Sequence, residues 1–360
     1  MKQYNRVVNR NHLKGLDTLR AIAAIIVVWG HIELFKKESG IQNLIDDGFY
    51  LPSGHISVIL FFVISGFLIT YLLTLEKKRT GTIKLKNFYL RRILRIWPLY
   101  YLVLVISFLL FKAVYSSETI FLSLTIFPNV AHALDAGWPT SPQIWSIGVE
   151  EQFYLFWPLI LMILPSKRIP IFLILFFFIY TLLPTILLFL NNQYFGNETL
   201  SHFVNRFFYG SKFNVLSMGS LFGFLFAENK KYLRFFKNDL VSYVTLVLVS
   251  ILWVSGFELK YYNDELFSIL FSIAILKIVS DPRINLDKIV FRFIGKISYG
   301  IYMYHWIVLL LAFQFISPYG NVWLFNLYLY SFVFGITFFI AWVSNYSIER
   351  YFLKMKEKYR

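Results

Sequence analysis

An all-α, polytopic membrane bundle is the fold class this sequence predicts, and three observations predict it. Apolar runs long enough to cross a bilayer recur from one end of the chain to the other. The composition is 58% hydrophobic and 20% aromatic over 360 residues, with a mean hydropathy of +0.60. Basic residues gather in alternate segments between the runs. The short alternating segments of a β-barrel are absent.

Ten spans can be drawn, at 16–34, 56–75, 94–112, 146–164, 169–190, 208–227, 239–256, 265–280, 297–316 and 324–346. With the N-terminus inside, 28 of the 35 Lys and Arg residues fall in cytoplasmic segments. That is the bias of an even number of spans with both termini in the cytoplasm. The formal charge of +15 is therefore mostly topological, and a nucleic-acid partner has no support. Membrane lipids are the expected surroundings. The basic N-terminus is followed by no small-residue cleavage site, so the first helix is read as retained. No cysteine is present, which excludes disulfides, thiolate metal sites and a Cys nucleophile. No repeat or linker divides the chain, so residues 1–360 are read as one transmembrane domain. Residues 1–13 and 350–360 would be its cytoplasmic tails.

The first span, GLDTLRAIAAIIVVWGHIE, carries Arg20 and His31. Eleven residues make almost three helical turns, so both project from one face, about 16 Å apart along the axis. Ala21, Ala23 and Ala24 between them permit a close neighbour. An ionisable group inside a membrane helix normally faces protein or water, although a snorkelling Arg20 and a rim His31 fit the same letters. The third segment, KNFYLRRILRIWPLYY, puts Arg91, Arg92 and Arg95 at the cytoplasmic mouth. The i, i+4 spacing sets Arg91 and Arg95 on one face, with Pro98 bending or ending the turn. Guanidinium groups suit multidentate phosphate contact, while ordinary positive-inside decoration gives the same pattern.

The fourth span opens with PQIWSIGVEEQFYLFWP, so Glu150 and Glu151 are expected in its outer half, at the depth of His31. Adjacent residues point about 100° apart, so only one of the two can face a given site. An aromatic belt with snorkelling acids is the bland alternative. In the ninth span Ser298, Tyr299, Tyr302 and His305 cluster, and Tyr302 can touch His305 three residues on. A hydrogen-bonded packing histidine would look the same. His12, His55, His132 and His202 fall in loops or rims, and no histidine pair has metal-ligand spacing.

RAIAAIIVVWGH, FFVISGFLIT, RRILRIWPLYY, WSIGVEEQFYLFWP, ISYGIYMYHW and SIERYF, in this order, resemble the acyltransferase-3 family of multi-pass membrane O-acyltransferases that modify cell-envelope sugars. The resemblance covers about residues 12–352. It implies that His31, eleven positions after Arg20, is the essential histidine. It implies that Arg91, Arg92 and Arg95 serve an acyl-CoA donor, with acetyl-CoA expected. It matches Trp145, Ser146 and Glu150 to a Trp-Ser-x-x-x-Glu motif, and Ser65 and Gly66 to a Ser-Gly-Phe turn. Ile59 stands where many members have a polar residue, and Lys212 and Asn214 where an Arg-x-Asp is frequent. Many members carry a fused extracytoplasmic SGNH-type domain, whereas here a basic tail follows the tenth span, so a stand-alone form is expected and a second catalytic step, if there is one, is expected of another protein.

The expectation is acyl transfer from cytoplasmic acyl-CoA to a sugar hydroxyl of a cell-surface polysaccharide or lipid-linked glycan, with O-antigen, capsule, peptidoglycan, a lipid-linked sugar and a small glycoside all fitting as acceptor. His31 would be general base and Glu150 would fix its tautomer. Arg20, Tyr302 or the Ser65 region would hold the oxyanion. Envelope-synthesis proteins are candidate partners and no metal is expected. Two other readings use the same residues: a polysaccharide or lipid transporter, and a non-catalytic scaffold in an envelope complex.

Overall fold

The computed structural model describes residues 13–44, 48, 52–229, 233–236, 238–316 and 321–359. Lys2, Arg6, Arg10, His12, Lys230, Lys231, Lys237 and Arg360 lie outside the described residues. The architecture is all-helical: α1 (Leu16–Glu38), α2 (Gly54–Thr80), α3 (Leu85–Leu110), α4 (Ser117–Leu124), α5 (Pro128–Ala133), α6 (Ile144–Ile163), α7 (Ile169–Tyr194), α8 (Glu198–Gly210), α9 (Phe213–Glu228), α10 (Leu233–Phe236), α11 (Asp239–Val254), α12 (Asn263–Ser280), α13 (Ile289–Phe315), α14 (Val322–Ser344) and α15 (Arg350–Glu357). A π-helical turn, Asn345–Glu349, joins the last two. Six described helices are long and apolar enough to cross a membrane, the last counted as one run over Val322–Glu357.

Helices form because a membrane leaves backbone groups no other partner, and caps set several of the starts. Gly15 adopts φ 82° ahead of α1, and its N–H donates to Asp287 Oδ1 at 2.9 Å. Thr18 Oγ1 donates to the Leu286 carbonyl at 2.7 Å. The first turn of α1 is thereby tied to the loop that leads into α13. Ser53 caps α2 by accepting from the Ile56 N–H.

α2 and α9 approach to backbone contact through Gly66, Gly219 and Gly223, the small-residue packing that lets membrane helices gain dispersion energy. α1 lies between α2 and α13. Gly30 meets Gly54 where α1 nears its end and α2 begins, and Gly295 meets the Asp17 backbone where α13 and α1 both begin.

Three local expectations are corrected. α1 runs on past residue 34, and Lys36 is fully buried rather than in an outer loop. It is held by Glu33 at 3.1 Å and Asn326 Oδ1 at 3.0 Å, while Tyr330 donates to the same Glu33. α3 begins nine residues before the drawn span and continues through Pro98 to Leu110, so the arginines sit inside the helix. The span drawn at 208–227 is broken after Gly210. There the polar run turns inward to partners: Ser211 Oγ accepts from Asn129, Lys212 pairs with Asp264, and Asn214 donates to Glu265.

Candidate active site

The central cavity, of about 90 Å³, lies among α1, α2, α3, α6 and α13. Arg20 from α1 and Arg92 and Arg95 from α3 bring three guanidinium groups to it, and Glu150 from α6 brings one carboxylate. Ser65, Ser146, Tyr154, Ser298, Tyr299 and Tyr302 complete its polar lining. Glu150 is already committed: Ser65 Oγ donates to it at 2.7 Å and Tyr154 Oη at 2.9 Å. Arg20 lies 3.7 Å from Asp17. Arg92 rests on the rings of Phe88 and Tyr154, 5.5 and 5.4 Å from their centroids, and its Nε is buried without a partner. No hydrogen bond engages Arg95 among the described residues. Guanidinium groups stay charged in proteins; Asp17 answers Arg20, while Arg92 and Arg95 make no ion pair among the described residues and present their charge to the cavity, where an anion would be welcome.

The arginine cluster is divided, contrary to the expected pairing of Arg91 with Arg95. Arg91 turns away, donating to the Tyr359 carbonyl at 2.6 Å and reaching Glu76 at 3.4 Å. Helical spacing alone would keep Arg91 beside Arg95; its partners, the Tyr359 carbonyl at the end of the chain after α15 and Glu76, draw it aside, while Arg92 and Arg95 both line the cavity. The adjacent acids divide likewise. Glu150 faces the cavity, and Glu151 accepts from Trp97 Nε1 at 2.8 Å on the α3 side.

Glu150 is not at the depth of His31. Its partner Ser65 lies eleven residues, about 16 Å, beyond the Gly54 that meets Gly30. That is the level of Arg20. The connection before α6 causes the difference, because it dips into the bundle instead of running over its surface. Thr140, Ser141 and Gln143 are buried, and Gln143 Nε2 donates to the Met303 carbonyl in the middle of α13 at 2.9 Å. α6 therefore starts well inside, and two turns later Glu150 stands beside the arginines.

His31 instead pairs with His305. Its Nδ1 lies 2.7 Å from His305 Nε2, and Trp306 covers it edge-on at 5.1 Å. His305 is fully buried, and its Nδ1–H donates to the Tyr302 carbonyl at 2.6 Å. Tyr302 links this pair to the cavity: its ring is 5.7 Å from that of His305. Its hydroxyl sits 2.6 Å from Ser146 Oγ and donates to the Gln143 carbonyl at 3.1 Å.

Tyr299 lines the cavity and donates to the Ile96 carbonyl at 2.9 Å. Trp145 does not line it, packing on Phe62 and His132. Sequence reasoning passed over Tyr154 and Gln143. Tyr154 was available as the residue one turn after Glu150, whereas no local signal marks Gln143. The rim histidines His55 and His202 pair with Asp264 at 2.8 Å and Asp135 at 2.7 Å.

Comparison with known proteins gives the chain a family. The family model described as an acyltransferase domain matches residues 13–346. A protein of Staphylococcus aureus (strain COL), named as an inferred O-acetyltransferase, is 27% identical over 98% of this chain and 59% of its own. The O-acetyltransferase OatA of Staphylococcus aureus (strain NCTC 8325 / PS 47) is 26% identical over 97% of this chain and 58% of its own. The peptidoglycan O-acetyltransferase OatA of Listeria monocytogenes is 25% identical, over 87% and 51% respectively. The chain thus spans little more than half the length of these relatives. No solved structure matches. With a family model spanning nearly its whole length, this multi-pass membrane protein belongs to the acyltransferase-3 family.

Proposed function

We propose that the protein is an O-acyltransferase of the bacterial cytoplasmic membrane that moves an acetyl group from acyl-CoA to a glycan hydroxyl. The observation that carries this reading is an anion-seeking cavity joined through Tyr302 to a bonded histidine pair. The basic bias at the Leu16 end of α1 makes that end cytoplasmic, so the donor enters from the arginine side. Arg92, Arg95 and Arg20 supply charge for its phosphates or for the developing oxyanion. Their cavity holds an acyl group or a few waters rather than the whole donor, so binding requires the lining side chains to part.

His31, about 16 Å further along α1, then meets the far end of an extended donor arm. The acceptor oxygen attacks the thioester carbonyl and His31 takes its proton. The carbon–sulfur bond breaks, the proton passes to the thiolate, and ester and free CoA leave. Glu150 organises Ser65 and Tyr154 beside the arginines and does not touch the base. Peptidoglycan is the acceptor in the name of one relative, and an envelope glycan of that kind is the acceptor we assign.

The test is His31→Ala. It should abolish acylation while the protein still inserts and accumulates, and an unchanged rate would end the proposal. Release of free CoA by the purified wild type distinguishes acylation from transport of the glycan.

A further inference from the structure

The contact between the two histidines contains more than proximity. Their rings lie within 7° of parallel with centroids 4.9 Å apart, yet one nitrogen of each is only 2.7 Å from the other. Face-to-face stacking at that centroid distance cannot bring nitrogens so close, so the rings meet edge to edge in nearly one plane. In that geometry an N–H points along the lone pair of its partner.

The direction of this bond follows from the far side of His305. Its Nδ1 faces the Tyr302 carbonyl at 2.6 Å, and a carbonyl oxygen can only accept. His305 therefore carries its proton on Nδ1. In a neutral ring that leaves Nε2 as an acceptor, and the proton of its 2.7 Å bond must come from His31 Nδ1. A neutral His31 is then protonated on Nδ1 and bare on Nε2. We infer that His305 is a positioning residue: anchored by the Tyr302 backbone, it holds His31 in the tautomer whose Nε2 lone pair is free to receive the acceptor's proton.

This deepens the acyl-transfer reading and rests on it for its functional half. A neutral acceptor does here what a carboxylate does in serine-hydrolase triads, without the desolvation cost of a second buried charge. It also accounts for the presence of a fully buried histidine one helix away from the base, at a depth the acidic pair does not reach. When His31 becomes protonated on Nε2, its Nδ1 proton lies along the existing bond to His305 Nε2. The new charge is thus already solvated by that lone pair.

The experiment uses the full chain in detergent with 15N-labelled histidine and acetyl-CoA turnover. His31→Ala identifies the His31 resonances among the six histidines. Wild type should show His31 with a protonated Nδ1 and an unprotonated Nε2. In His305→Leu the pattern should shift toward a protonated Nε2, and kcat should fall by roughly 10²-fold or more while the KM for acetyl-CoA changes little. His305→Gln places an acceptor oxygen near the former Nε2 and should restore most of both signals. A wild-type His31 protonated on Nε2 would overturn the inference, and so would a His305→Leu protein with wild-type kcat. A Gln variant as inactive as Leu, although its His31 pattern is intact, would also overturn it by reducing His305 to packing. Activity surviving in His31→Ala would instead remove the general-base reading and leave the tautomer measurement standing.

Discussion

Replacing Gly219 by alanine tests whether the catalytic geometry depends on backbone contact between α2 and α9. A Cβ on Gly219 would stand 3.0 Å from both the carbonyl carbon and the Cα of Val63, and nearer still to the Val63 oxygen. Carbon atoms prefer about 3.5–4.0 Å, so the helices must separate by roughly 0.5–1 Å. Backbone cannot swing aside as a flexible side chain can, and overpacking of this kind costs about 1–3 kcal/mol. Val63 is two residues from Ser65, which donates to Glu150 at 2.7 Å. The same displacement would stretch that bond to the edge of hydrogen-bonding range or beyond it. A misplacement of about 1 Å can cost on the order of 10²-fold in rate.

Gly335→Ala is the matched control. Gly335 lies inside α14 with nothing within 4 Å of a built Cβ, and alanine there gains up to about 1 kcal/mol of helix propensity. The assay is thermal unfolding in detergent alongside acetyl transfer at saturating donor. Gly219→Ala should melt several degrees lower and turn over one to two orders of magnitude more slowly, while Gly335→Ala should match or exceed wild type. If the two variants behave alike, backbone contact at Gly219 does not set the spacing of α2 and α9.

The division of the arginine cluster makes a second prediction. Arg92→Ala and Arg95→Ala should each raise the KM for acetyl-CoA by about 10–100-fold, the worth of one charge-assisted hydrogen bond. Arg91→Ala should leave it within about threefold, since that guanidinium serves the Tyr359 carbonyl. Initial-rate kinetics decide, and three equal effects would contradict the placement. The buried pair near the end of α1 makes a third. Lys36→Met leaves Glu33 buried and uncompensated and should cost about 3–5 kcal/mol. Adding Glu33→Gln should recover much of the loss, because an amide oxygen still accepts from the Leu44 N–H, now 2.6 Å from the carboxylate. A double-mutant cycle on melting temperature measures the coupling, and strict additivity would refute it.

Much of the frame was legible because helix formation in a membrane is a local matter. Described helices overlie most of each drawn span, the one at 208–227 being broken, and six are long and apolar enough to cross a membrane, since a long apolar run has no other way to satisfy its backbone. The candidate residues Arg20, Ser65, Arg92, Arg95, Ser146, Glu150, Tyr299 and Tyr302 do reach one cavity. Charge inside an apolar helix has few alternatives to facing protein or water. Depth was less legible, as the height of Glu150 depends on how far the connection before it sinks into the bundle. Nothing in its own span records that path. Lys36 likewise read as a loop residue because its partners Glu33 and Asn326 come together only when α1 meets α14.

Hydropathy and basic asymmetry by themselves determined the fold class, the approximate helices and the types of group available for chemistry, because each depends on neighbours within a few turns. The tertiary structure alone decided which groups meet. It turned Arg91 outward, lowered Glu150 to the arginines, and gave His31 a second imidazole as its partner. Contacts of that kind depend on the rotation and depth of separate helices, which are settled by glycine contacts and buried loops mostly far apart in the chain.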